Sequence, residues 1–232
     1  MLSLRQFRYS SDNLGYLVYT SKEAVAIDAG AVDEINVFLK AHNLKLSAII
    51  NTHSHHDHVA GNSELSKLTG IKPIDMGIVM NNSYVEIGKE KLHIFKTPGH
   101  TMDSVCYLSE KFIVTGDTLF IADIGRCFTK EYEIYWNTIQ NFKKLSKDIV
   151  VYPGHDYVSE SLLWIKELDF AGDEIDKFLF QKEKTEVSCT MTQQFKMNPF
   201  LNCDSPKIRE YMKLKGYNIK SDFDLFKALL ND

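Results

Sequence analysis

The stretch THSHHDH, residues 52–58, contains four of the eight histidines of this 232-residue chain, together with an aspartate. It directly follows LSAIIN (46–51), a short apolar run with β-branched residues that predicts a buried strand. It precedes NSELSKLTG (62–70), whose polar start and final glycine are typical of the two ends of a helix. The histidine-rich stretch therefore lies on a predicted connection from a strand to a helix, where side chains converge on a cleft.

The side chains of this stretch are of the kinds that bind transition-metal ions. Imidazole nitrogen and carboxylate oxygen are ligands that Zn²⁺, Fe²⁺ and Mn²⁺ accept. Because residues two apart in extended backbone point the same way, His53 and His55 can reach one ion together. Asp57 and His58 lie around the turn and can serve a second ion. A polar loop that is merely rich in histidine is the alternative interpretation.

Three further ligand-type side chains occupy the same kind of position along the chain. They are His100 in TPGHT, Asp117 in TGDT and His155 in YPGHD, and each follows an apolar run that predicts a strand. Four strand ends that deliver histidine or aspartate to one edge of a sheet favour a metal site over a polar loop.

The order of predicted elements indicates an α/β fold. Strands are predicted over 14–20, 24–30, 46–51, 83–88, 91–98, 104–109, 112–117 and 149–152, and helices over 32–43, 62–70 and 135–145. Their interleaving predicts a layered α/β domain. After about residue 158 the pattern becomes helical, over 161–170, 173–184, 205–216 and 221–230.

The amino-acid composition of the chain argues against some classes of binding partner. The chain is 44% hydrophobic with a formal net charge of −4 and has no basic block, so we expect no nucleic-acid partner. No apolar run approaches the roughly 18 residues that a membrane span needs, and the start lacks the apolar region of a signal peptide. The four cysteines form no CxxC pair and are expected to be free thiols. A cytoplasmic protein is the expectation.

The motifs THSHHDH, TPGHT, TGDTLF and YPGHDY resemble, in this order, those of the metallo-β-lactamase superfamily, and within it the glyoxalase II (hydroxyacylglutathione hydrolase) group. The resemblance covers roughly residues 12–158. It implies a four-layer αββα sandwich as a catalytic domain over 1–158, with the metal site at one edge of the sheets. A helical region over 159–232 would then line the substrate side.

The resemblance also implies a ligand set for two divalent metal ions, which we expect to be zinc, with iron or manganese also accepted by these ligands. One ion would be held by His53, His55 and His100, the other by Asp57, His58 and His155, and Asp117 would bridge them. His56 stands at the variable position of the motif. His42 and His93 match nothing in the family and are expected to be structural.

Such a centre predicts hydrolysis by a hydroxide that bridges the two ions, with Asp57 as the catalytic residue that orients it and relays its proton. No serine or cysteine nucleophile is needed, although Cys127 lies nearest to the motifs. Asp117 argues against a β-lactamase, because those relatives generally lack an aspartate there. The chain is also too short for the additional nuclease domain of the RNA-processing relatives.

The predicted substrate is a small thioester of the S-2-hydroxyacylglutathione (S-lactoylglutathione) type. Arg126 and Tyr157 match family residues that contact glutathione, and Phe128 stands where the family usually has a tyrosine. The MNPF element (197–200) also resembles glyoxalase II. However, the C-terminal basic cluster that binds glutathione in that family is reduced here to Lys227, so the thiol carrier is left open. The acyl group and the oligomeric state are left open as well.

Two alternatives use the same scaffold. A persulfide dioxygenase would bind a single Fe²⁺ through two histidines and an aspartate, here His53 or its neighbour, His100 and Asp117. A non-catalytic binding protein would keep the fold without the chemistry. The intact second set of ligands argues against both.

Overall fold

The computed structural model describes residues 1–180 and 186–232. The first part of the chain forms a four-stranded sheet with strand order β1-β2-β3-β4. Its strands are β1 (Ser3–Tyr9), β2 (Asn13–Tyr19), β3 (Glu23–Ile27) and β4 (Lys45–Ile50). The first three are antiparallel neighbours, whereas β3 and β4 are parallel and joined by helix α1 (Val32–Ala41). Three short helices follow: α2 (His56–Val59), α3 (Asn62–Thr69) and α4 (Met76–Asn81).

A second sheet of the described residues has the strand order β12-β11-β8-β7-β6-β5. Its first four strands in the chain are β5 (Tyr84–Ile87), β6 (Glu90–Lys96), β7 (Val105–Leu108) and β8 (Phe112–Gly116). A small ribbon, β9 (Leu119–Phe120) and β10 (Asp123–Ile124), and helix α5 (Tyr132–Phe142) lead to β11 (Val150–Pro153). Because β11 runs parallel to β8, their carboxyl ends lie at the same edge of the sheet.

The rest of the described chain is mostly helical. Its elements are α6 (Val158–Glu167), α7 (Gly172–Phe180), β12 (Cys189–Thr190), α8 (Met191–Met197), a 3₁₀ turn (Pro199–Leu201), α9 (Pro206–Leu214) and α10 (Asp222–Leu230). The short strand β12 pairs antiparallel with β11, so this region also extends the second sheet. Within the part of the chain that the structure describes, no helix combines the length and the apolar composition that a membrane span needs.

Three hydrophobic clusters define the layers. The middle cluster joins the facing surfaces of the two sheets, with Tyr16 and Ile27 on one side and Tyr107 and Val114 on the other. A second packs α1 and α3 on the outer face of the first sheet. The third packs α5 and the C-terminal helices on the outer face of the second sheet. The predicted αββα sandwich is therefore confirmed, since helices cover both outer faces of two packed sheets.

Some elements were not predicted. Strand β1 carries charged residues on its exposed positions and lies at a sheet edge, which weakens the apolar pattern of a strand. Helix α4, β12 and the β9–β10 ribbon are short elements that tertiary contacts stabilise. The predicted helix over 173–184 is observed as α7 up to Phe180, and residues 181–184 lie outside the described residues. The division of the chain near residue 158 stays a prediction.

Candidate metal centre

The seven residues predicted as metal ligands lie together at one edge of the sandwich. His53, His55, His100 and Asp117 form one group, and Asp57, His58 and His155 form another; within each group the candidate ligand atoms lie within 4.8 Å of one another. They come together because they follow the ends of β4, β8 and β11, and because His100 lies in the loop between β6 and β7. The predicted convergence of strand ends is observed, while the role of each residue as a ligand stays a prediction.

The carboxylate of Asp117 lies between the two groups. Its Oδ1 is 3.3 Å from His58 Nε2, and its Oδ2 is 3.4 Å from His155 Nε2. The same Oδ2 is 3.6 Å from His100 Nε2 and 4.0 Å from His53 Nε2. One carboxylate thus faces imidazoles of both groups.

The polar atoms at the centre fit a cation. Among the described residues, the buried atoms His53 Nε2 and Asp117 Oδ1 make no hydrogen bond. Imidazole nitrogens also face each other across 3.2 Å between His58 and His155, and across 3.1 Å between His55 and His100. Buried polar atoms that make no hydrogen bond are costly unless another group, such as a cation, satisfies them. The donor set of imidazole and carboxylate therefore suits divalent metal ions.

Further groups hold the histidine rings in orientation. Asp28, which is fully buried, accepts hydrogen bonds from the Thr52 backbone and hydroxyl, and its Oδ2 lies 2.9 Å from His58 Nδ1. Asp12 Oδ1 lies 2.7 Å from His155 Nδ1. Because the Nδ1 atoms are engaged, the Nε2 atoms of both rings point into the centre.

Sequence reasoning missed these supporting aspartates. A signal for Asp28 was present, since it ends the apolar run AVAID just as Asp117 ends FIVTGD. Asp28 also has a φ of 50°, an uncommon left-handed conformation that aspartate tolerates better than most residues. Asp12 had no such signal, because its contact with His155 joins residues 143 positions apart.

Burial and charge set the ionisation of the centre. Burial, with the neighbouring charge of His58, lowers the pKa of His53 to about 4. Burial also acts to lower the pKa of His58, but the carboxylates of Asp28 and Asp117 outweigh it and raise that pKa to about 11. For Asp117, burial acts to raise the pKa, yet the neighbouring imidazoles of His155 and His58 hold it well below its usual value. The Asp117 carboxylate is therefore ionised at neutral pH.

A cavity of about 570 Å³ opens beside these residues. The three predicted substrate contacts, Arg126, Phe128 and Tyr157, all line it. The exposed Phe128 ring meets His55 and His100 edge-on, at 5.4 and 5.2 Å between centroids. Tyr157 stacks on His155 at 4.8 Å. The three side chains thus adjoin the centre, and their contact with a substrate stays a prediction.

The remaining histidines lie outside both ligand groups. His56 is exposed on α2. The His42 ring stacks on Phe38 at 3.9 Å, and His93 on β6 packs against Tyr84. These positions agree with the structural roles expected for His42 and His93. The Cys127 thiol lies 3.4 Å from the Thr129 hydroxyl, and the cysteine is not among the residues that line the cavity.

The cavity wall formed by the β9–β10 ribbon is held by α8 and the NPF element. Gln194 Nε2 donates to the Phe120 carbonyl at 2.7 Å, and Gln194 Oε1 accepts from the Ala122 amide at 3.2 Å. Asn198, in the NPF element, donates to the Asp123 carbonyl at 3.0 Å. Both side chains are fully buried. The C-terminal region therefore positions part of the wall beside the metal centre.

Comparison with known proteins agrees with this architecture. The family model described as Metallo-beta-lactamase superfamily matches residues 13–74 and 85–155. A hydroxyacylglutathione hydrolase of Bartonella henselae is 30% identical over 234 residues, covering 91% of this chain and 92% of that protein. One of Pseudoalteromonas translucida is 29% identical, covering 91% and 90%. The structure of ETHE1 from Myxococcus xanthus shares the fold, with a TM-score of 0.65 at 21% identity over 99% of this chain and 96% of that one. The chain therefore belongs to the metallo-beta-lactamase superfamily.

Proposed function

We propose that this protein is a binuclear metal-dependent hydrolase of thioesters of the S-2-hydroxyacylglutathione (S-lactoylglutathione) type. The observation that carries the proposal is the position of Asp117, a buried carboxylate within 4.0 Å of imidazoles from both ligand groups. A carboxylate shared between the two groups can hold two cations close together. Relatives that match nearly the whole chain are named hydroxyacylglutathione hydrolase, which supports this class of reaction and substrate.

The first ion would be held by His53, His55 and His100, the second by Asp57, His58 and His155, with Asp117 shared. When bound, two divalent ions polarise a substrate carbonyl and make a water molecule acidic enough to attack it near neutral pH. Zinc is the proposed metal, and the same ligands accept iron or manganese.

Asp57 is the proposed catalytic residue. Its side chain is 46% exposed and lines the cavity, and its Oδ2 accepts a hydrogen bond from Asn13 at 2.8 Å. Burial acts to raise the pKa of Asp57, but the charge of His58 and the Asn13 hydrogen bond lower it below its usual value. An ionised Asp57 can orient the attacking water, accept its proton and pass that proton to the departing thiolate as the carbon–sulfur bond breaks.

The other cavity residues suit a substrate that extends away from the metal ions. Arg126 is an exposed cation at the cavity, and the Phe128 and Tyr157 rings flank the histidines. We assign these three side chains to contacts with the thiol carrier. A guanidinium can bind a carboxylate of that carrier through two parallel hydrogen bonds.

The alternative on this scaffold is a persulfide dioxygenase with a single iron ion. The second group argues against it, because Asp57, His58 and His155 place three ligand atoms within 4.8 Å of one another. A one-ion enzyme has no need for that complete second set.

The test is to strip the protein of metal with a chelator and restore Zn²⁺ in steps up to two equivalents per chain. At each step, hydrolysis is measured on S-lactoylglutathione and on a panel of acyl thioesters with other thiols. We expect activity to rise as the second site fills. A zinc-loaded protein that leaves every thioester intact contradicts the proposal. One iron per chain, with oxygen uptake on glutathione persulfide, supports the alternative.

A further inference from the structure

Three acidic or basic side chains line the cavity beyond the candidate metal ligands: Asp123, Arg126 and Glu160. Within residues 1–180 and 186–232, none of the three side chains takes part in an ion pair. Arg126 and Glu160 are exposed, so water screens their charges. Asp123 is half-buried in the wall, where an unpaired carboxylate is more costly.

Hydrogen bonds hold the backbone of Asp123 in place, but its carboxylate accepts few hydrogen bonds. The residue pairs with Phe120 in the β9–β10 ribbon, and its carbonyl accepts from Asn198. Its Oδ1 accepts from the Ile124 amide at 2.7 Å, while its Oδ2 has only a long contact of 3.3 Å with the Ser161 hydroxyl. A carboxylate can accept about four hydrogen bonds, so capacity remains on Oδ2. Burial without a cation raises the pKa of Asp123 to about 6, which agrees with this description.

We propose that Asp123 is a specificity-determining residue that binds a protonated amino group on the thiol carrier of the substrate. The inference rests on the proposed thioesterase function and deepens it, because it names the carrier as one that bears an amine. Arg126, on the same cavity, supplies the complementary charge for a carboxylate, so a zwitterionic carrier of the amino-acid type fits both side chains.

The physical basis is the difference between an ammonium group and a neutral group at Asp123. An ammonium group donates up to three hydrogen bonds and neutralises the charge of the carboxylate. A carrier without the amine displaces water from the Asp123 carboxylate but forms no hydrogen bond or ion pair with it. Such a carrier is therefore expected to bind more weakly, because the desolvated carboxylate is left without a partner.

Binding of analogues that cannot be hydrolysed tests this inference without turnover. The probes are S-methylglutathione and S-methylcysteine, each with a free amine and with the amine N-acetylated. Titration calorimetry would measure their affinities for zinc-loaded wild type and for Asp123→Asn, which keeps the shape of the side chain. Asp148→Asn is the matched control, since Asp148 is exposed and is not among the residues that line the cavity.

For at least one carrier, we expect wild type to bind the free-amine probe about tenfold more tightly than its N-acetylated partner, as a charge-assisted hydrogen bond provides. Asp123→Asn should remove that preference, and Asp148→Asn should keep it. Equal affinities within both pairs in wild type, a preference that survives in Asp123→Asn, or no binding of either free-amine probe overturns the inference. Loss of thioester hydrolysis alone contradicts only the proposed function, because the probes report binding.

Discussion

The two aspartates of the proposed centre have different surroundings. The Asp117 side chain is 10% exposed and lies among imidazoles, whereas the Asp57 side chain is 46% exposed and faces the cavity. A buried carboxylate is suited to hold cations in place. A carboxylate that meets both water and substrate is suited to move a proton.

We therefore expect Asp57→Asn to lower kcat by roughly 10²- to 10³-fold, because the amide cannot accept a proton from water. The measurement is steady-state hydrolysis of S-lactoylglutathione by protein whose metal content has been determined, with the exposed Asp148→Asn as the matched control. A kcat close to that of wild type at full metal loading would remove Asp57 from the catalytic role.

The raised pKa of Asp123 also predicts that the stability of the protein depends on pH. Its pKa is about 6 in the folded chain, above the usual 3.8, so between these values the folded state binds the proton more tightly than the unfolded state does. Stability therefore decreases as the pH rises from about 4 to about 6 and then stays lower.

Because asparagine does not titrate, we expect Asp123→Asn to be more stable than wild type by about 1–3 kcal/mol at pH 7, with the gain shrinking towards pH 4. Urea denaturation of both proteins at a series of pH values measures the difference. A gain that does not change between pH 4 and pH 7 contradicts the assignment of a raised pKa to Asp123.

At the scale of the element, helix α8 supports the β9–β10 ribbon beside the metal centre. Gln194 satisfies one backbone carbonyl and one backbone amide of the ribbon and its turn, at Phe120 and Ala122. Ala122 has a φ of 64°, a conformation that is unfavourable for alanine. The turn is thus held in place by the side chain of a residue more than 70 positions away.

We expect Gln194→Met, which keeps the size of the side chain, to destabilise the protein by about 2–4 kcal/mol, because two buried backbone groups lose their partner. The displaced ribbon should also raise the KM for thioesters. Thermal unfolding and steady-state kinetics give the two values, and Lys196→Met, exposed on the same helix, is the control. Equal effects of the two variants would show that the bonds of Gln194 do not support the site.

At the scale of the whole molecule, the C-terminal helices share a hydrophobic core with the second sheet. Leu162, Ile208 and Phe226 belong to one cluster with Ile113 and Val151 of β8 and β11. Because this cluster crosses the predicted boundary at residue 158, neither part can expose its side of the core without cost.

We therefore expect metal-free protein to unfold in one transition. Near-ultraviolet circular dichroism would follow Trp136 and Trp164, on α5 and α6, while far-ultraviolet circular dichroism would follow the backbone. Coincident urea midpoints are expected for a single cooperative unit. Separate midpoints would show that the C-terminal region unfolds on its own.

Metal binding should stabilise the whole molecule in a pH-dependent way. In metal-free protein the pKa of His58 is raised to about 11 and that of His155 is raised as well, so protons compete with a metal ion for both rings. Binding therefore releases protons, and affinity increases with pH. Free Zn²⁺ at a hundred times its Kd should stabilise the fold by about 2.7 kcal/mol. Thermal unfolding at several pH values checks this, with Mg²⁺ for comparison. A zinc effect that does not grow with pH contradicts it.

The sequence by itself determined the layered fold and the candidate ligands. Apolar runs predicted most strands of the two sheets, because buried strands carry β-branched and apolar residues with little dependence on distant contacts. Ligand-type residues just after those runs predicted where the site lies, since strands that run in the same direction have their carboxyl ends at the same edge of a sheet. The ligand-type residues of HxHxDH lie within six positions of one another, so the motif can be recognised from the sequence without knowledge of the fold.

Only the tertiary structure decided how these residues are supported and what else faces the substrate. The hydrogen bonds of Asp12 to His155, Asn13 to Asp57 and Gln194 to the ribbon join residues that lie between 44 and 143 positions apart. Asp123 is one acidic residue among 31 in the sequence, and its position in the cavity wall depends on contacts with Ser161 and Asn198, which lie 38 and 75 positions away. No local pattern encodes such contacts, because they depend on how whole elements pack.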